Sequence, residues 1–144
     1  EESVHLSRFP EPVGMGFDQN LIGKWDIIIQ LKREVSKALE LSRKEKIIGH
    51  SLDAKVELVL PGGLVPLLEK EELRYIFIVS SVELKKHFEE SGVFESEVLP
   101  GLKVLVSPAL GQKCERCWNY FSGQAKEEAT ICPRCVENLE AAKA

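Results

Sequence analysis

All four cysteines of this 144-residue chain fall within GQKCERCWNYFSGQAKEEATICPRC, residues 111–135. They form two Cys-x-x-Cys pairs, Cys114/Cys117 and Cys132/Cys135, with 14 residues between them. A stretch this short cannot bury a core of its own, so its fold depends on a cross-link or a metal. Disulfides need an oxidising compartment. The N-terminal EESVHLSRF has neither the basic nor the apolar region of a signal peptide, and nothing else points to secretion. A redox Cys-x-x-Cys usually occurs once, at a helix start in a βαβ setting, and two pairs argue against it. One ion held by four thiolates fits better, with zinc the favoured metal and iron the minor alternative. Each pair makes a tight knuckle that presents two sulfurs, and the loop between them brings the second knuckle round. Pro133 inside CPRC and Gly123 in the loop suit such turns. Four protein ligands leave no open coordination position, so the expected zinc is structural rather than catalytic.

The length fits one domain, or one small core with a satellite module. No apolar run approaches the roughly 20 residues that span a bilayer, so no membrane segment is expected. Net charge is −4, and any grip on nucleic acid has to come from a local patch. Between Lys24 and Lys55 eight bases face five acids, while between Glu69 and Glu97 eight acids face four bases. Solvated surface is the plain reading of both segments. Around the cysteines, Lys113, Arg116, Lys126 and Arg134 are offset by Glu115, Glu127, Glu128 and Glu137. Trp118 and Tyr120 beside the first knuckle have two readings, a miniature core packed on the metal site or a platform for an RNA base. For Trp118 the miniature core is favoured.

Upstream, residues 1–17 read as an irregular leader containing Pro10, Pro12, Gly14 and Gly16. Asp18 or Asn20 is placed to cap a helix running to about Ile48, with Gly49 stopping it. Ile28, Leu31, Val35, Ala38 and Leu39 share one face at helical spacing. Asp26, Gln30, Arg33, Lys37, Glu40 and Lys44 step along the opposite face. Three strand candidates follow: AKVELVL (54–60), LRYIFIVSS (73–81) and LKVLVS (102–107). VPLLEKEEL (65–73) reads as a short helix between the first two. The expected fold class is α+β: a long amphipathic helix and a small mixed sheet over 18–111, then a four-cysteine zinc-ribbon-like module over 112–144.

No catalytic constellation appears. His5, His50 and His87 lie far apart in sequence, without a neighbouring activated nucleophile. PGG at 61–63 is a turn rather than a phosphate loop. IIGH at 47–50 lacks the leading histidine of a HIGH signature and follows a helix rather than a strand.

Several stretches together resemble the C-terminal end of the bacterial-type isoleucyl-tRNA synthetase family. They are ESVHLSRFPE (2–11), VSKALELSRKEKIIGHSLDAKVEL (35–58), IFIVSSVEL (76–84), KCERCWNY (113–120) and CPRCVENL (132–139). KCERCW followed by CPRC is the most specific part; 61–74 and 85–101 carry little signal. The resemblance implies a piece cut from a longer cytoplasmic enzyme, which joins isoleucine to its tRNA at the expense of ATP. It implies one zinc held by Cys114, Cys117, Cys132 and Cys135, and catalytic and editing sites upstream of this piece. It also implies a role in engaging the tRNA anticodon region. The candidate RNA contacts are Arg33, Lys37, Arg43 and Lys44 on the helix, with Lys113, Arg116, Trp118 and Arg134 beside the metal. A monomer is expected. The alternative is a stand-alone zinc-ribbon module that binds protein or DNA. The missing initiator Met and the leader favour the first reading.

Overall fold

In the computed structural model, residues 3–6, 8, 14, 16, 18–64, 68, 73–89, 91–122 and 130–142 are described. Most of the expected leader therefore lies outside them, apart from a 3-10 turn at Val4–Leu6 and isolated positions.

Helix α1 spans Gln19–Lys44. Asp18 caps it, its Oδ1 accepting from the Asn20 N–H at 2.9 Å and the Leu21 N–H at 3.2 Å. These bonds satisfy two of the donors that every helix start leaves unpaired. Ile28, Leu31, Val35, Ala38 and Leu39 are all buried, as their spacing requires. The helix stops before the expected Ile48. Lys46 takes a left-handed backbone (φ 61°), its N–H donates to the Arg43 carbonyl at 3.1 Å, and the Ile47 N–H reaches the Ser42 carbonyl at 2.9 Å. This double hydrogen bond is a Schellman termination, made without the usual glycine. It turns the chain so that Ile48 enters the core.

Glu34 shares the buried face of α1. Its Oε1 accepts from Lys37 Nζ at 2.6 Å and its Oε2 from Ser96 Oγ at 2.7 Å. Ser96 Oγ in turn accepts from the N–H groups of Leu99 (2.9 Å) and Val98 (3.2 Å). A buried carboxylate is tolerated only with such partners, and this one ties the helix to the loop before the last strand of the sheet.

The strands are β1 (Ala54–Val59), β2 (Ser81–Leu84), β3 (Phe94–Glu95) and β4 (Lys103–Pro108), in the order β2-β1-β4-β3. β1 runs parallel to β2 and antiparallel to β4; β3 is antiparallel to β4. Ala54, Val56 and Leu58 of β1, with Val104 and Val106 of β4, bury one face, and α1 packs there against β4. On the other face, Lys55 and Glu57 of β1, Glu83 of β2 and Lys85 just after β2 form an ion-pair ladder at 3.1–3.5 Å. One apolar and one charged face is the alternation expected of a half-covered sheet.

The expected strand over 73–81 is wrong for most of its length. Leu73–Phe77 is helix α2, and the strand begins only at Ser81. A parallel partner for β1 needs a crossover connection, and this segment supplies its end. Leu73 and Phe77, one helical turn apart, point into the core. Ile78 then adopts φ 58°, and the Val79 N–H closes back on the Arg74 carbonyl at 3.0 Å. The tertiary requirement overrides the β-branched, aromatic composition. Of the expected helix over 65–73, only the buried Leu68 and Leu73 fall among the described residues.

His50 has a structural job. Its Nδ1 accepts from the Leu52 N–H at 3.2 Å, while Asp53 Oδ2 accepts from the His50 N–H at 2.8 Å. This reciprocal cap orders the turn Ser51–Asp53 that leads into β1.

Candidate metal centre and its basic surround

A two-stranded hairpin, β5 (Gln112–Lys113) and β6 (Tyr120–Phe121), carries the first knuckle at its tip. Gly111 enters it at φ 101°, where an added Cβ would lie 2.3 Å from the Phe121 carbonyl oxygen, so only glycine fits. The Cys114 N–H bonds the Asn119 carbonyl, and the Trp118 N–H bonds the Cys114 carbonyl, both at 2.9 Å. The second knuckle opens helix α3 (Pro133–Ala141). Cys132 is its N-cap, Pro133 follows where a missing N–H costs nothing, and Cys135 lies in the first turn. The Glu115 N–H, bonded to the Thr130 carbonyl at 3.0 Å, ties the two knuckles together.

The four sulfurs all lie within 4.8 Å of one another. Cys114 Sγ and Cys135 Sγ are 3.8 Å apart, and Cys117 Sγ and Cys132 Sγ 3.7 Å. A tetrahedral zinc about 2.3 Å from each sulfur sets neighbouring sulfurs about 3.8 Å apart. The pocket has the dimensions of that ion. The N–H groups of Cys132 (3.3 Å) and Cys117 (3.5 Å) also point at Cys114 Sγ. Such donors favour a thiolate.

The thiols titrate apart. Burial pushes the Cys117 thiol up, but hydrogen bonds from Asn119 and the neighbouring thiols outweigh it and bring it to about 6. Cys114 is likewise lowered despite its burial, by the backbone donors around it. Burial pushes Cys132 up to about 12, reinforced by the adjacent sulfurs. Four crowded sulfurs cannot all ionise without a cation, whereas a divalent ion makes every thiolate favourable.

The small core of this module is Cys114, Cys132 and Cys135 with Cys117, Phe121 and Ile131 against them. Trp118 is not in it. Its side chain is 59% exposed and its backbone is left-handed, at φ 62°. The miniature-core reading of Trp118 is therefore corrected: the knuckle turn points the indole away, and Phe121 and Ile131 fill the space.

Among the described residues, three side-chain hydrogen bonds dock the module on the α/β unit. Lys113 Nζ donates to Asp53 Oδ1 at 2.7 Å, the Tyr120 N–H to Ser80 Oγ at 2.7 Å, and Arg134 Nη1 to the Tyr75 hydroxyl at 2.7 Å. Ser80 Oγ itself donates to the Leu52 carbonyl at 2.5 Å. The Lys113 hydrogen bond holds Asp53 below the usual carboxylate range, against its partial burial. Lys113 also sits 5.6 Å from the Tyr120 ring centroid.

The basic candidates fall into two sets. On α1, Arg33, Lys37, Glu40 and Lys44 border one shallow groove with Phe94. Lys37 is engaged by Glu34, and Arg43 pairs with Glu40 and donates from Nε to the Gly49 carbonyl at 3.3 Å. At the knuckles, Arg116 and Arg134 are exposed, and Lys113 is spent on Asp53. Sequence reasoning missed Arg74, Tyr75 and Ser80, because the stretch that carries them has the composition of a strand.

Residues 111–138 match a family described as the zinc finger found in FPG and IleRS. With four thiols positioned for one ion, that match makes zinc the metal of this module. Over 143 residues the chain is 47% identical to the isoleucine–tRNA ligase of Syntrophotalea carbinolica, an alignment covering 96% of this chain and 15% of that protein. The corresponding ligase of Geobacter sulfurreducens is 45% identical, covering 94% of this chain and 15% of that protein. That of Caldanaerobacter subterraneus is 40% identical, with 96% and 15% covered. The chain thus spans about 15% of the length of the curated relatives it matches. By this similarity along nearly its whole length, and by the zinc finger that ends it, the chain belongs to the isoleucyl-tRNA synthetase family and corresponds to its C-terminal portion.

Proposed function

We propose that this chain is the tRNA-contacting C-terminal part of an enzyme that ligates isoleucine to its tRNA at the expense of ATP. Cys114, Cys117, Cys132 and Cys135 are the ligands of its single zinc. The metal supplies structure, closing a module too small to bury a core of its own. The chain carries no catalytic group and activates neither isoleucine nor ATP. It works in the cytoplasm within a monomeric enzyme and engages the anticodon stem and loop.

The observation that supports this reading most is Trp118. A non-glycine residue in the left-handed region costs about 1–2 kcal/mol, and a ring 59% exposed recovers little of that by burial. An aromatic face held in solvent on a rigid turn is what base stacking requires. Arg116, two residues earlier in the same knuckle and exposed, adds a phosphate contact that gives affinity and register without base choice. Arg134 belongs to the same set. Arg33 and Lys44 form a second, weaker ridge. Lys37, Arg43 and Lys113 are committed to carboxylates and contribute least.

The test is Trp118→Ala in the full-length zinc-loaded enzyme. Zinc content and melting temperature stay unchanged while tRNA affinity drops by about 1–3 kcal/mol. Lost zinc or stability at unaltered tRNA affinity would return the indole to a structural role.

A further inference from the structure

An exposed leucine on α1 stands beside a half-buried phenylalanine from the sheet. Leu41 lies off the buried stripe of α1 and is open to solvent. Phe94 of β3 pairs with Val104, which is buried on the face that α1 covers. Neighbouring residues of a strand point to opposite faces. Phe94 therefore turns toward α1 and Glu95 away from it, where its carboxylate pairs with Lys103. Phe94 packs on the main core and, with Leu41, floors a shallow groove of about 460 Å³ along the helix. Arg33, Ser36, Lys37, Glu40 and Lys44 form the rim. Two of these charges are already neutralised, Lys37 by Glu34 and Glu40 by Arg43. Arg33 and Lys44 remain, exposed and, among the described residues, without a carboxylate partner. A second groove borders the same Leu41 and Phe94 along Ala38, Ser42 and Glu45, and Glu45 is the one charged residue that lines it among those described. The excess positive charge thus falls on one side of the Leu41–Phe94 floor.

We infer that this groove seats an unpaired base of bound tRNA on Leu41 and Phe94, while Arg33 and Lys44 hold phosphates of the same strand at its two ends. The inference rests on the RNA-contacting reading above and gives the weaker ridge a base-stacking role. Arg33 and Lys44 are three helical turns apart, about 16 Å at 1.5 Å per residue. Stacked nucleotides advance by about 3.4 Å each, so the two cations address different phosphates, with the apolar floor between them. An aromatic and an aliphatic side chain under the base, with cations along the backbone, is how single strands are held. Bases inside a duplex already stack on one another, so the base seated here is unpaired. An acidic protein helix would also satisfy the two cations, but it needs a run of apolar anchors one turn apart. A floor of two side chains is too short for that run.

The experiment measures the affinity of the zinc-loaded full-length enzyme for isoleucine tRNA as a function of salt. Phe94→Leu keeps an apolar side chain on the core and removes the ring. It weakens tRNA binding roughly tenfold and leaves the salt slope unchanged. Leu41→Ser, on the exposed floor, weakens binding in the same way without touching the core. Arg33→Gln and Lys44→Gln each lower the slope by about 0.7, the single-strand value. With p-azidophenylalanine in place of Leu41, irradiation crosslinks the enzyme to an unpaired nucleotide. Zinc content and melting temperature report that each variant is folded, and Trp118→Ala reports the knuckle contact separately. If Trp118→Ala weakens tRNA binding while the changes at Arg33, Leu41, Lys44 and Phe94 leave it unaltered, the groove is refuted and the RNA-contacting reading survives. If no variant alters tRNA binding, both fail. If the two cation variants lower the slope while Phe94→Leu and Leu41→Ser keep full affinity, the ridge touches phosphates alone and the base seat is refuted. A crosslink to a paired nucleotide, or to protein, overturns it as well.

Discussion

The α/β unit and the zinc module are held together by different physics. In the first, a single cluster runs from Ile28 on α1 through Val56 and Leu58 to Val104 on β4 and closes around Leu68, Phe77 and Val79. In the second, the buried set is Cys114, Cys132 and Cys135, with Phe121 and Ile131 as its main apolar cover. Apolar burial contributes about 25 cal/mol per Å², which suffices for a helix on a four-stranded sheet but not for a hairpin and two turns of helix. The module replaces that missing area with metal–thiolate bonds. Exposure does not sort the two regions: α1 leaves Trp25 45% exposed, and the first knuckle leaves Trp118 59% exposed.

Cys132→Ser strikes this contrast hardest. Structural zinc binding is worth on the order of 10–16 kcal/mol, so losing one ligand should abolish the order of 112–122 and 130–142 and empty the site. The sheet and α1 should keep their amide dispersion in NMR spectra. Leu31→Ala should do the converse. Leu31 is fully buried on the sheet side of α1, and its truncation should destabilise the α/β unit by about 2–5 kcal/mol in denaturant melts, with zinc stoichiometry unchanged.

Glu34→Gln gives the smallest of these effects, and it carries a pH signature. The Lys37 hydrogen bond holds the Glu34 carboxyl below its ordinary value, outweighing its burial, with Ser96 assisting. Its folded value lies below its unfolded value, so its stabilisation is complete above the unfolded value of about 4.3 and is lost as pH falls through the folded one. The variant should be less stable than the parent at neutral pH by about 1–3 kcal/mol, and the gap should close on acidification below about pH 4. A gap that stays constant down to about pH 2 would refute the ion-pair account.

Much of this contrast was legible in the residues. The alternation of AKVELV, the helical spacing of Ile28, Leu31, Val35, Ala38 and Leu39, and the two cysteine pairs each state a local requirement that the fold honours. What was hidden is non-local. LRYIF has a strand's composition and is helical because β1 and β2 run parallel. The helix end at Lys44 depends on a left-handed lysine where a glycine would have signalled the turn. Trp118 next to a knuckle reads as core filler until the knuckle's own turn shows where the side chain goes. The docking trio Asp53–Lys113, Ser80–Tyr120 and Tyr75–Arg134 joins residues 40 to 60 positions apart, a separation at which single-sequence patterns are silent.

The central claim is that one region owes its order to metal and the other does not. Hydrogen exchange on the zinc-loaded chain, before and after a strong chelator at neutral pH, tests it in one measurement. Amides of Cys114, Trp118, Cys135 and Val136 should lose protection together when zinc leaves, while those of β1, β4 and the buried face of α1 keep theirs. Retained protection in the knuckles after complete zinc removal, or equal collapse of both regions, would contradict it.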